Sequence, residues 1–172
     1  MTLSSNEKLE LFIRSYFPLG LTVLAVLISF APSHIAGIFF VNPPVPLILI
    51  YCWCINYCDD FSYGSVFAIG IFTDFFDNTL FGMHTLTYII FYFFSLKIRR
   101  YLAWKSFRLG WIGFGMLAFM TMLVEWGISS INAQTFLFFT PLLVSWFITV
   151  MLYPVIFWGS SVLYTKAAGG AI

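Results

Sequence analysis

The sequence predicts an all-α integral membrane protein with six transmembrane helices. Hydrophobic residues make up 61% of its 172 residues, charged residues make up only 9%, and the mean hydropathy is +0.95. A soluble domain is about 25% charged. Because a spanning helix needs about 20 apolar residues, six spans would use nearly the whole chain as one membrane domain.

Breaks in the apolar pattern divide the chain into six predicted spans. Pro18 opens the first span, because the first turn of a helix tolerates proline, and the prolines from Pro43 to Pro46 separate it from the second. Asp59 and Asp60 follow the second span, and the basic stretch KIRRYLAWKSFR separates the fourth from the fifth. The predicted spans cover about residues 17–35, 46–57, 64–81, 83–96, 109–131 and 136–157.

The eight basic residues predict the orientation of the chain. They fall near the N-terminus, in one central loop and at Lys166. With six spans and a cytoplasmic N-terminus, all of them lie on the cytoplasmic side, as the positive-inside rule requires. Both termini are therefore expected to be cytoplasmic. The central loop is expected to lie at the lipid interface and contains Lys97, Arg99, Arg100, Lys105 and Arg108.

The third span carries two acidic residues, Asp74 and Asp77, in an otherwise apolar run from Gly64 to Gly82. A carboxylate near the bilayer centre costs about 2.5–3.5 kcal/mol to insert and usually faces protein or a water-filled cavity. This helix is therefore expected to pack inward. Gly70, one turn before Asp74, would let a neighbouring helix approach closely. Gly82 is expected to end the helix, since glycine commonly follows a helix C-terminus.

Glu125 is expected in the same outer half of the membrane as Asp74 and Asp77, because the third and fifth spans both run outward. All Lys and Arg residues are assigned to the opposite side, so His84 is the candidate cation. Asp74 is expected either to be protonated, donating a hydrogen bond to a neighbouring helix, or to be hydrated in a cavity. Two interpretations of these acids stay open, a polar clamp between helices and a site for a ligand, a proton or a partner.

The motifs favour a protein that is not an enzyme. The sequence has no glycine-rich phosphate loop, no metal-spaced cluster and no nucleic-acid motif, so neither a cofactor nor a nucleic-acid partner is predicted. Asp74 and Asp77 stand three residues apart on one helix and point alike, whereas an aspartic dyad must converge on one substrate. An intramembrane aspartyl protease that uses Asp74 is an alternative.

An ordered set of motifs runs from the second to the fourth span. It comprises PLILIYCW from Pro46 to Trp53, then Gly64, Gly70 with Asp74 four residues later, Gly82, Leu86, and finally Arg99 and Arg100. This set resembles the bacterial rod shape-determining MreD family. The resemblance covers about residues 46–100, and the remainder of the chain agrees in length and in the order of its spans.

The resemblance implies a non-enzymatic scaffold subunit of the bacterial cell-elongation complex in the cytoplasmic (inner) membrane. Its implied partners are the bitopic protein MreC and, through it, the MreB filament, the glycosyltransferase RodA and a class B penicillin-binding protein. Such a subunit couples MreB to peptidoglycan synthesis and so maintains rod shape. The resemblance also implies a fold similar to the substrate-binding (S) subunits of energy-coupling-factor transporters, so a vitamin or small-molecule transporter subunit is the alternative function.

Overall fold

The computed structural model describes residues 18–29, 43–56, 61–77, 80–102, 107–134 and 138–168. Within these ranges the chain is all-helical and forms six helices, as the sequence predicts. They are α1 (Pro18–Ser29), α2 (Val45–Asn56), α3 (Tyr63–Phe76), α4 (Met83–Leu102), α5 (Phe107–Ala133) and α6 (Thr140–Ala168). Two of the helices, α5 and α6, are long and apolar enough to cross a membrane, whereas α1, α2 and α3 are apolar but shorter.

Several helix boundaries differ from the predicted spans. Helix α3 ends at Phe76 instead of Phe81, because Asp77 takes an extended conformation with φ −93° and ψ 131°. Gly82 therefore does not end α3, and with φ +94° it forms the turn that precedes α4. Helices α4 and α6 both continue past their predicted ends, so much of the predicted basic loop is helical. The predicted end of the first span lies outside the described residues.

Helix α2 lies at the centre of the fold. Every residue from Leu47 to Cys54 is at most 4% exposed, and the helix contains no charged residue. A helix that is apolar on all sides is suited to complete burial. Its two large polar aromatics are hydrogen-bonded to its neighbours. The Tyr51 hydroxyl donates to the Gly110 carbonyl of α5 at 2.9 Å, and the Trp53 indole donates to the Thr22 hydroxyl of α1 at 3.1 Å.

Consecutive helices from α3 to α6 pack against each other in antiparallel pairs. Between α3 and α4, the rings of Tyr63 and Tyr92 meet at a centroid distance of 4.9 Å. Between α5 and α6, Phe114 and Tyr153 stack at 4.8 Å, directly beside the Tyr51 ring of α2. Helices α4, α5 and α6 also contact α2, whereas α3 packs mainly against α4.

The backbones of α3 and α4 approach closely at Gly70. A Cβ atom on Gly70 would lie 2.5 Å from the Cα of Thr85, closer than packed atoms can be. The prediction that Gly70 permits a close helix approach is therefore confirmed. Gly64 has no comparable contact, because it is exposed and the nearest atom to a Cβ there would be Ser62 Oγ at 3.6 Å.

This contrast generates a stability prediction. Gly70→Ala forces the α3 and α4 backbones apart and is expected to cost about 1–3 kcal/mol, the usual cost of overpacking. Gly64→Ala is the matched control, and it is expected to be neutral or to stabilise the protein by up to about 1 kcal/mol, because alanine favours helix. Thermal unfolding of the purified full-length variants measures both effects. Equal midpoints for the two variants would contradict the close approach.

Candidate functional site

All the acidic residues in the described part of the chain belong to one polar cluster, located where the end of α3 meets the start of α4 and one face of α5. The cluster joins these acids to a histidine and two threonines from α4. It consists of Asp74, Asp77, His84, Thr85, Thr87 and Glu125. Each residue of the cluster contacts another through the bonds described next.

The carboxylate of Asp74 binds the first turn of α4. Its Oδ2 accepts from the Gly82 amide at 3.1 Å, the Thr85 amide at 3.2 Å and the Thr85 hydroxyl at 2.6 Å. Its Oδ1 accepts from the His84 amide at 2.9 Å. The first amides of a helix have no partner within the helix. Asp74 therefore provides the N-terminal cap of α4, although it lies on α3.

This geometry changes the role expected for Asp74. The sequence indicates either a protonated side chain that donates to a neighbouring helix or a hydrated one. The observed carboxylate accepts from three backbone amides and one hydroxyl, and its side chain is 0% exposed. An ionised carboxylate is a pure acceptor, and its charge is favoured at the positive end of the helix dipole. Asp74 therefore accepts bonds from α4, where the sequence indicates a donor.

His84 lies between the two aspartates. Its Nδ1 is 3.1 Å from Asp74 Oδ1, and its Nε2 is 3.3 Å from Asp77 Oδ2. An imidazolium can pair with both acids, whereas a neutral imidazole has only one N–H to donate. The ring is 12% exposed, and its edge faces the ring of Tyr88 at a centroid distance of 5.9 Å. His84 thus occupies the cation position that the sequence indicates.

Glu125 connects α5 to the same end of α4. Its Oε1 accepts from the Thr87 hydroxyl at 2.9 Å. That hydroxyl also lies 3.0 Å from the Met83 carbonyl and 3.2 Å from the His84 carbonyl. Since a hydroxyl carries a single proton, it shares this proton among these acceptors. The Glu125 side chain therefore faces a neighbouring helix and holds α5 against α4.

The chemistry available in the cluster is charge-assisted hydrogen bonding. Among the described residues, no group of three or more His, Cys, Asp or Glu side chains could hold a metal ion. Both Asp74 oxygens are engaged by donors of α4. An acid–base reaction at Asp74 would therefore have to break the cap of a buried helix end. The arrangement fits a clamp that fixes three helices relative to one another.

The structure brings together most of the predicted site residues. Gly70, Asp74, Asp77, Gly82 and Glu125 all lie around the contact of α3 with α4 and α5, whereas Gly64 lies at the far end of α3. Of the basic residues of the predicted loop, Lys97, Arg99 and Arg100 lie at the opposite end of α4, and Arg108 lies at the start of α5. Lys105 and the side chain of Arg100 lie outside the described residues.

Thr85 and Thr87 belong to the site but were not among the residues predicted from the sequence. The local sequence carries no signal for them, because their roles depend on contacts with α3 and α5. The two threonines supply the hydroxyl contacts of Asp74 and Glu125.

Comparison of the chain with protein-family models, with curated proteins and with solved structures finds no match.

A second candidate site is an apolar groove of about 260 Å³ between α4 and α5. The α4–α5 groove is lined by Thr87, Ile90, Phe91, Phe94, Leu117, Met120, Thr121 and Val124. Both threonine hydroxyls bind elsewhere, Thr87 to Glu125 and Thr121 to the Leu117 carbonyl. The surface of the groove is therefore apolar.

The cap generates a second prediction. Asp74→Ala leaves buried amides without an acceptor and is expected to lower the free energy of unfolding by about 1–3 kcal/mol. Asp74→Asn keeps one acceptor oxygen and should fall between Asp74→Ala and the wild type. Asp77→Asn is the matched control and should cost at most about 1 kcal/mol, because the Asp77 side chain is 32% exposed. Chemical unfolding in detergent measures all three, and a cost for Asp74→Ala no larger than that for Asp77→Asn would refute the cap.

Proposed function

We propose that this protein is a non-enzymatic scaffold subunit of the bacterial cell-elongation complex, similar in role to MreD. In this proposal it is a multi-pass protein of the cytoplasmic membrane with both termini in the cytoplasm. It binds an MreC-like bitopic protein and, through it, joins MreB, RodA and a class B penicillin-binding protein in one complex. Its contribution is to hold these partners together without turnover or transport.

The exposed surface supports the membrane placement. Large apolar side chains are exposed on several helices, including Phe75 at 72%, Ile131 at 80%, Phe138 at 87% and Trp158 at 72%. A soluble protein rarely exposes so much apolar surface without a partner. The described acids also lie at one end of α4, while Lys97 and Arg99 lie at the other, as expected if one end faces the cytoplasm.

The short helices are compatible with this placement. Helix α2 has 12 residues, which corresponds to about 18 Å. That is less than the hydrocarbon thickness of about 30 Å. Irregular backbone at membrane depth is tolerated where protein covers it, and α2 is enclosed by its neighbours. We propose that α1–α4 complete a bundle whose long members are α5 and α6.

One observation carries the proposal beyond a generic membrane protein. Several of the motif residues that resemble MreD build the central part of the fold. The run PLILIYCW forms the buried α2, Gly70 permits the close approach of α4, and Asp74 and Gly82 form its cap and turn. The resemblance therefore covers one connected structural unit, α2 to α4, and this unit is the expected common feature of such scaffolds.

The polar groups support a scaffold over a substrate-binding subunit. A small-molecule site needs several convergent polar groups. In the described part of the chain, many buried hydroxyls instead bind carbonyls of their own helix. These include Thr22, Thr73, Ser95, Thr121 and Thr149. The α4–α5 groove is the feature that favours a transporter subunit, and its apolar lining suits a hydrocarbon better than a vitamin.

Affinity purification from native membranes tests this function. The tagged full-length protein is expected to co-purify with an MreC-like bitopic protein, and its depletion should convert rods to rounded cells. Gly64→Ala serves as a tagged variant that keeps the fold and should keep the partner. Recovery of an ATPase module with a retained small molecule would favour the transporter subunit. Cleavage of a membrane substrate that depends on Asp74 would favour the protease, and either result would overturn the scaffold.

A further inference from the structure

The α4–α5 groove has a regular construction. Its α4 residues, Thr87, Ile90, Phe91 and Phe94, recur at intervals of three and four, as do its α5 residues, so each helix contributes one continuous stripe. The outward side chains remain accessible along its length, with Phe94 at 49% and Met120 at 61% exposure. The groove is therefore open to the surroundings from one end to the other.

The two ends of the groove differ in charge. At one end Thr87 is bonded to Glu125, with Asp74 and Asp77 nearby in the polar cluster. At the other end Lys97 follows Phe94 by three residues and so lies on the same side of α4. The acidic end repels an anionic group and the basic end attracts one. A ligand with one anionic head and one apolar tail therefore fits in a single direction.

The ammonium group of Lys97 is available to such a ligand. Among the described residues, no carboxylate lies within ion-pair distance of it. Its Nζ instead lies 5.1 Å from the centroid of the Phe93 ring, which contacts the ring of Phe94 at 5.5 Å. This contact holds the ammonium group over Phe93, the neighbour of the groove residue Phe94.

The length of the groove indicates how long a bound acyl chain would be. Ten residues separate Thr87 from Lys97, which corresponds to about 15 Å along α4. Half of a hydrocarbon core of about 30 Å is the same length. A lipid whose head is at Lys97 would therefore place the end of its chain near Thr87, and it would belong to the leaflet at the basic end.

We infer that the α4–α5 groove binds an anionic phospholipid of the cytoplasmic leaflet, with one acyl chain along the groove and the phosphate at Lys97. This site rests on the proposed membrane placement and on no particular partner protein. A bound lipid would fill the space between α4 and α5 below the polar cluster. It would also make the seating of α5 depend on the anionic lipid content of the membrane.

Photo-crosslinking tests the site. The full-length protein is placed in vesicles that contain phosphatidylglycerol or phosphatidylcholine with a diazirine in the acyl chain, and the labelled peptides are mapped by mass spectrometry. Phosphatidylglycerol should label Met120 and Phe94 about fivefold more than phosphatidylcholine does. This ratio corresponds to the ~1 kcal/mol that one basic residue contributes beside an anionic membrane surface.

Two pairs of variants give the test its controls. Lys97→Gln should remove the fivefold preference, whereas Arg108→Gln, which removes a charge from the start of α5, should keep it. Val124→Trp fills the groove and should reduce labelling, whereas Val155→Trp, at another exposed valine, should not. If Val124→Trp fails to fold, Lys97→Gln alone decides whether the groove binds the lipid, because the Lys97 side chain is exposed.

Several results would overturn the site. They are equal labelling by both lipids, an equal loss with Arg108→Gln, and labelling confined to the α5–α6 surface near Met116. A partner helix cross-linked in the groove would also overturn it.

Extraction by alkaline carbonate separates failure of the lipid site from failure of the proposed function. A protein released by carbonate refutes the membrane placement, whereas an integral protein with unselective labelling refutes only the lipid site.

Discussion

The arrangement of the helices depends on the bond between the Asp74 carboxylate and the first turn of α4. In apolar surroundings no water is present to satisfy the free amides of a helix end. Asp74 supplies acceptors for the amides of Gly82, His84 and Thr85 from a separate helix. One side chain thereby joins the end of α3 to the start of α4. The buried Asp74 carboxylate thus accepts from backbone amides that would otherwise have no partner.

The same constraint explains the surroundings of the cap. Gly70 brings α3 close enough to α4 for the carboxylate of Asp74 to reach the amides. The His84 ring lies between Asp74 and Asp77, and Glu125 extends the bonding to α5 through Thr87. The enclosed helix α2 packs against α4 and α5, and the polar groups of its Tyr51 and Trp53 side chains are hydrogen-bonded. Apolar packing alone does not fix the position of one helix along another. The hydrogen bonds that join α4 to α3 and α4 to α5 fix these positions.

Sequence patterns predicted the parts of this structure that depend on local chemistry. The six helices, the inward position of Asp74 and the close approach at Gly70 follow from hydropathy, burial cost and side-chain size. The partners of Asp74 could not be predicted, because they depend on α3 ending at Phe76 and on a contact between two helices. The predicted end of α4 was early, because hydropathy detects the edge of the apolar region and Lys and Arg continue a helix well. The central position of α2 had a sequence signal, its lack of any polar face.

Amide hydrogen exchange at the start of α4 tests the role of Asp74 most directly. In the full-length protein, the amides of His84 and Thr85 are expected to exchange slowly, although the first amides of a helix normally lack partners. Asp74→Ala should remove this protection at both residues while leaving the amides of α5 and α6 unchanged. Fast exchange of His84 and Thr85 in the wild-type protein, or unchanged protection in Asp74→Ala, would contradict the account.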